Sequence, residues 1–200
     1  MGLFDIFRKN TDISKNVQQE LYNKNLYGCR DIKDSLSYQD KLLSLVNDAS
    51  ERYEQDHDLD AVIKAFEQAF VEADQPCKSS QNMKLADYYI KAGLNDKAWG
   101  YLNKLQLTSE APLEKIRFAQ SRILKKKKKY INALEYCLMG HFNKYSFNEN
   151  VFYKDLMSYS NKLNLDYSQI SYLKQIITSS KNESALIDKY RSIIKDWRLI

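Results

Sequence analysis

The densest run of side-chain oxygens lies in DHDLDAVIKAFE, residues 56–67. Asp56, Asp58 and Asp60 alternate with other residues, Ile63 takes the apolar eighth place, and Glu67 stands twelfth. With this spacing a calcium loop wraps its oxygens around one ion. Ala61, however, holds the sixth place, where such a loop needs glycine for its sharp turn. A helix starting near Ala61 would also carry Glu67 away from the aspartates. The stretch therefore reads as an acidic turn in which Asp58 or Asp60 caps a helix and favours its positive end. No calcium is expected there.

The strongest concentration of charge is KKKKK, residues 125–129. At the end of one helix and in the turn before the next, lysines offset the negative end of the helix dipole. They also form a candidate patch for an anionic partner such as nucleic acid, lipid or an acidic protein. Catalysis has little support. The two histidines, His57 and His141, stand in no metal-ligand spacing and beside no nucleophile motif, so both read as turn or surface residues. There is no glycine-rich phosphate loop. The three cysteines, Cys29, Cys77 and Cys137, are widely spaced with no CxxC pair, which suits reduced thiols in a cytoplasmic protein. No catalytic residue, cofactor or metal ligand is expected, and the chain does not read as an enzyme.

The elements that must position these residues are helices. Only 5 glycines and 2 prolines punctuate 200 residues, too few for many short strands. Hydrophobic content of 44% beside 28% charge suits a folded chain. A net charge of +5 is mild for a dedicated nucleic-acid protein. No apolar run reaches membrane-spanning length, so no integral membrane insertion is expected.

In LADYYIKAGLNDKAWGYLNKL, residues 85–105, Leu85, Tyr88, Tyr89 and Ala92 fall on one helical stripe. Gly93 then ends the helix in a left-handed turn, and Asn95 or Asp96 caps the next. Ala98, Leu102 and Leu105 continue the stripe there. Small residues at Ala86 and Ala98 would let the two backbones approach closely. The same pair of small positions recurs 37 residues upstream at Ala49 and Ala61, and 35 downstream at Ser121 and Ala133. Repeats that cannot bury their faces alone imply stacking into a helical solenoid.

This pattern resembles the tetratricopeptide repeat (TPR) family over about residues 40–142, with Leu85, Ala86, Tyr89, Gly93, Ala98 and Leu102 as its best match. The resemblance implies an all-α fold of antiparallel helical hairpins and a non-catalytic adaptor that binds a peptide or partner helix on its concave face. It further implies inward-facing contacts at Val46, Ser50 and Tyr53, then Met83, Asp87, Ile90 and Lys91, then Lys115, Phe118, Arg122 and Lys125. Family members that clamp a C-terminal carboxylate use an Asn and Lys set on these helices. Only Lys115 fits it, while Val46, Ser50 and Ala119 do not, so chaperone-tail binding is not expected. The alternative is nucleic-acid or anionic-surface binding through the lysines that begin at Lys125 and end at Lys129.

Around the three hairpins at 41–145, residues 1–40 read as an arm or docking helix and 146–200 as a further helical extension ending in a capping helix. In MGLFDIFRKN, Leu3, Phe4, Ile6 and Phe7 would form a small apolar patch, and Ile6 stands where a myristoylation signal needs Ser or Thr. Ser180 and Glu183 have the spacing of a capping box. After them Leu186, Ile187, Tyr190, Ile193, Ile194 and Trp197 share one face, the pattern of a core helix. Charge is also split along the chain: residues 44–77 are mainly acidic and 110–144 mainly basic.

Overall fold

A computed structural model describes residues 57–72, 80–197 and 199, with scattered positions between 40 and 55. Among the described residues there are helices and no strands, as the sparse turn chemistry predicts. Val46, Ala49, Asp56, Cys29, Cys77 and the MGLFDIFRKN patch lie outside the described residues.

The chain divides into two units. The first comprises residues 1–85 with 108–111 and contains α1, Leu59–Glu72. Asp58 caps α1: its Oδ1 accepts the backbone N–H groups of Asp60 and Ala61, each at 3.0 Å. This satisfies donors that the first helical turn leaves without partners. Glu67 lies along the same helix, away from its capped end. Val62, Ile63 and Phe66 form the buried face of α1. Ala61 is exposed in the first turn, which corrects the expectation that it sits at a helix crossing. So near the cap, its side chain faces solvent.

The second unit comprises residues 86–107 with 112–200. Its helices are α2 (Met83–Lys91, which begins in the first unit), α3 (Asn95–Thr108), α4 (Leu113–Lys126), α5 (Tyr130–Phe142), α6 (Glu149–Leu163), α7 (Tyr167–Ser179) and α8 (Glu183–Asp196). Gly93, with φ of +77°, turns the chain from α2 into α3. The N–H of Gly93 donates to the Ile90 carbonyl and that of Leu94 to the Tyr89 carbonyl, closing the helix end as a left-handed cap does. The Leu94 carbonyl starts α3 by accepting from Ala98, so Asn95 and Asp96 are its first helical residues instead of its cap.

The same left-handed residue recurs at Lys128 between α4 and α5, and at Asn164 between α6 and α7, with φ of 58° and 53°. His57, before α1, has φ of 52°. These four lie 36, 35 and 36 residues apart, and a further left-handed residue, Ser109 with φ of 57°, falls off that spacing between α3 and α4. Helices joined by such a turn therefore continue past residue 142, where the side-chain pattern no longer reveals them. The crossing residues are equally plain. Ala86 and Ala98 are fully buried, and the Ser121 hydroxyl donates to the Ala133 carbonyl at 2.6 Å where α4 meets α5.

The C-terminal half gathers around α5, which packs against α4, α6, α7 and α8. Leu186, Tyr190, Ile193 and Ile194 of α8 are buried, with Ile187 and Trp197 packed beside them, as their spacing predicts. The Tyr190 hydroxyl donates to the Ile131 carbonyl at 2.7 Å, and so ties α8 back to α5 as well as to α7. In a stack held only by neighbouring repeats, the last helix would not reach so far back. The cap of α8 is Asn182, whose side chain accepts from Ala185; Ser180 instead donates to the Ile176 carbonyl. A capping box is present one helix earlier, between Asp166 and Gln169.

Candidate functional site

α5 is buried on nearly every side, because four helices surround it. Its sequence pays little attention to amphipathic pattern: Ala133, Leu134, Cys137, Leu138, Met139, Gly140 and His141 are all buried. Three groups that are not simple hydrocarbon are thereby carried inside: Glu135, which pairs with Arg191 of α8, and Cys137 and His141. Cys137 and His141, four residues apart, project from one face toward α6, and Asp155 of α6 meets them. One ligand atom from each of the three lies within 4.8 Å of the others.

Cys137 and Asp155 border a cavity of about 510 Å³ between α4, α5 and α6, with His141 buried behind them. α4 supplies Lys115, Phe118, Arg122 and Lys125 to it, the segment after α5 supplies Lys144, and α6 supplies Tyr159. Phe118 can lie close over α5 because residue 140 is glycine; a Cβ there would come within 2.8 Å of the Phe118 ring. The Lys125 ammonium lies 4.9 Å from the centre of the Tyr159 ring, and the Lys144 ammonium 5.2 Å from that of Phe118. Arg122 is paired with Asp87 of α2. Tyr159 and Ser121 oxygens are 2.6 Å apart. The single Ser121 proton goes to the Ala133 carbonyl, so Tyr159 is the donor. Burial raises the Tyr159 pKa, which keeps that donor protonated.

Burial also pushes the Cys137 thiol up to about 12, so as a free group it is protonated and a poor nucleophile. His141 is only 1% exposed, which overturns the turn-or-surface expectation. Its ring sits edge-on against Phe118 and Phe152, with centroids 5.0 and 5.2 Å away. Burial lowers its pKa, against the opposing pull of Asp155. Nε2 stands 3.0 Å from Asp155 Oδ2, close enough for an ion pair but misaligned for a hydrogen bond, and Nδ1 has no partner either. The sequence signal for this cluster was the one-turn spacing of Cys137 and His141. That spacing alone does not make a site, because the third member, Asp155, is brought to it by the packing of α6 on α5.

Four of the contact positions implied by the repeat resemblance, Lys115, Phe118, Arg122 and Lys125, thus come together at one cavity. Others do not. Met83 and Ile90 are each 5% exposed and belong to the interior, so they offer no side chain to a groove. Lys91 is exposed, with its ammonium 4.7 Å from the centre of the Tyr88 ring. Tyr53 is half-buried and edge-on to His57. The lysine run is split by the turn it occupies. Lys125 faces the cavity, Lys126 donates to the Ile90 carbonyl, Lys127 pairs with Asp96 at 2.6 Å, and Lys128 and Lys129 are exposed.

A second buried polar cluster lies across the other side of α4. Arg117 makes a two-pronged pair with Glu183 of α8, both bonds at 2.8 Å. Its remaining nitrogen donates to Gln106 and Gln120, and Gln120 donates in turn to Asn103. Asn143 adds a bond to Glu183 at 2.9 Å. No protein-family model, curated protein or solved structure matches this chain. No helix among the described residues is long and apolar enough to cross a membrane.

Proposed function

We propose that this chain is a non-catalytic adaptor, built on tetratricopeptide-like hairpins, that seats an acidic segment of a partner protein in the cavity between α4, α5 and α6. One observation carries the reading: Lys115, Arg122, Lys125 and Lys144 outnumber the carboxylates Glu114 and Asp155 around a cavity whose lining includes Phe118. Such a site offers positive charge at its rim for orientation and an aromatic surface beneath for affinity. The recurrence of the turn at Gly93, Lys128 and Asn164 supports the repeat reading. The buried reduced thiol of Cys137 suits a cytoplasmic setting. The dispersal of the lysine run speaks against a continuous nucleic-acid surface, because Lys126 and Lys127 are engaged on α2 and α3.

The test is fluorescence anisotropy with a labelled peptide library that varies in acidic content, and with single-stranded RNA as competitor. Acidic peptides with one aromatic or aliphatic residue are expected to bind best. Replacing Lys125 and Lys144 by Glu should weaken them at least tenfold, and the association rate should fall most at low salt. Equal binding of acidic, neutral and basic peptides, or displacement of all peptides by RNA, would refute the proposal.

A further inference from the structure

We propose that Cys137, His141 and Asp155 form a three-ligand site for a zinc-class divalent ion whose fourth coordination position faces the cavity. Zinc takes thiolate sulfur, imidazole nitrogen and carboxylate oxygen together, and sites that keep one position open use three protein ligands. The three donors are of these types and already lie within 4.8 Å of one another. Metal–ligand bonds of about 2.0–2.3 Å place tetrahedral ligands roughly 3.5 Å apart. Closure therefore needs a contraction of about 1 Å, which rotation of Asp155 can provide. Its side chain is 40% exposed and is the least constrained of the three.

The second observation is His141 itself. Its side chain is wholly buried, yet Nδ1 has no hydrogen-bond partner and Nε2 meets only the Asp155 carboxylate, one of the proposed ligands, out of line for a good hydrogen bond. A buried polar atom without a partner carries a desolvation penalty that an ordinary core residue would avoid. The neighbouring Phe118 and Phe152 rings fix the imidazole plane and offer no acceptor. A metal ion bound to one nitrogen would remove that deficit. It would also displace the proton from Cys137, releasing it to solvent, so that thiolate and carboxylate together neutralise the divalent charge. The cavity lining includes both Cys137 and Asp155, so the open coordination position is reachable from solvent.

Cobalt(II) titrated into the full chain is the direct probe, because only a thiolate ligand gives sulfur-to-metal charge-transfer absorption. One equivalent should saturate that band, and one equivalent of zinc should displace it. The Cys29→Ser, Cys77→Ser double variant should keep the band. Asp155→Asn, with an unchanged melting temperature, should weaken cobalt at least tenfold, and Cys137→Ser should abolish the band. Absence of the band in the parent would overturn the proposal. So would its loss in the Cys29, Cys77 double variant, or full affinity in Asp155→Asn. Should Cys137→Ser fail to fold, the Asp155 variant decides. Peptide binding is read separately, so either proposal can fail alone.

Discussion

Two buried polar clusters flank α4, and they differ in one respect. Around Arg117 every charged nitrogen has an acceptor, and Glu183 is held by three donors. Around His141, Nδ1 has no partner and Nε2 has only the misaligned contact with Asp155. A satisfied network holds helices in register and leaves nothing to offer a ligand. An incompletely satisfied one beside a cavity carries a cost that a ligand can remove. The contrast separates scaffold from site more sharply than burial does, since Arg117 and His141 are both buried.

The largest effect should come from breaking the satisfied cluster. Arg117→Ala leaves Glu183, Gln106 and Gln120 without their partner, and should cost about 3–5 kcal/mol in urea unfolding, as does removal of one member of a buried pair. A loss well under 1 kcal/mol would make that cluster as dispensable as a surface pair. Next come the helix crossings. Ala98→Leu and Ala133→Leu each insert a branched side chain where none fits, and should cost roughly 1–3 kcal/mol. If either variant unfolds at the parent's urea midpoint, the close approach at that hairpin is mistaken.

His141→Leu should behave oppositely to Arg117→Ala. Exchanging an unpartnered polar ring for an apolar group of similar size can be neutral, so stability without metal should change by less than about 1 kcal/mol. A loss as large as that of Arg117→Ala would show that His141 has a structural partner. The sign of its pH dependence follows from its lowered pKa. The folded chain resists protonation that the unfolded chain accepts, so its contribution is present above the unfolded pKa and fades as pH falls below about 6.5. In metal-free protein, NMR should find this imidazole titrating below a free imidazole. An imidazole that titrates at or above the free one would sink the assignment. The smallest effect belongs to the exposed pair of Lys127 and Asp96. The lysine holds the Asp96 carboxyl below its usual range, yet Lys127→Ala should leave the melting temperature unchanged.

Much of the fold was legible in particular residues. The stripe of Leu85, Tyr89, Ala98 and Leu102 and the turn at Gly93 are local, since a helix period and a left-handed glycine need only near neighbours. The terminal stripe from Leu186 to Ile194 was legible for the same reason. The turn within residues 125–129 was legible from the spacing of Ser121 and Ala133, but its left-handed residue, Lys128, was not, because a lysine in that conformation carries no composition signal. Ala61 matched the repeat phase and still faces solvent, because Asp58 starts its helix too near.

The candidate site was legible only in part. Lys115, Phe118, Arg122 and Lys125 share one face of one helix, and helical period alone brings them together. Lys144 and Asp155 join them only because α5 and α6 fold alongside. His141 shows the limit most clearly. By sequence it is one of two isolated histidines; in the structure it stands inside a core, beside a thiol one turn away and a carboxylate fourteen residues on. The sequence by itself determined the helices, their turns and their small crossing residues, since these depend on interactions within a few positions of chain. Only the tertiary structure decided which polar groups are buried and which of those lack partners, because desolvation and hydrogen bonding depend on neighbours that helix packing brings from distant parts of the chain.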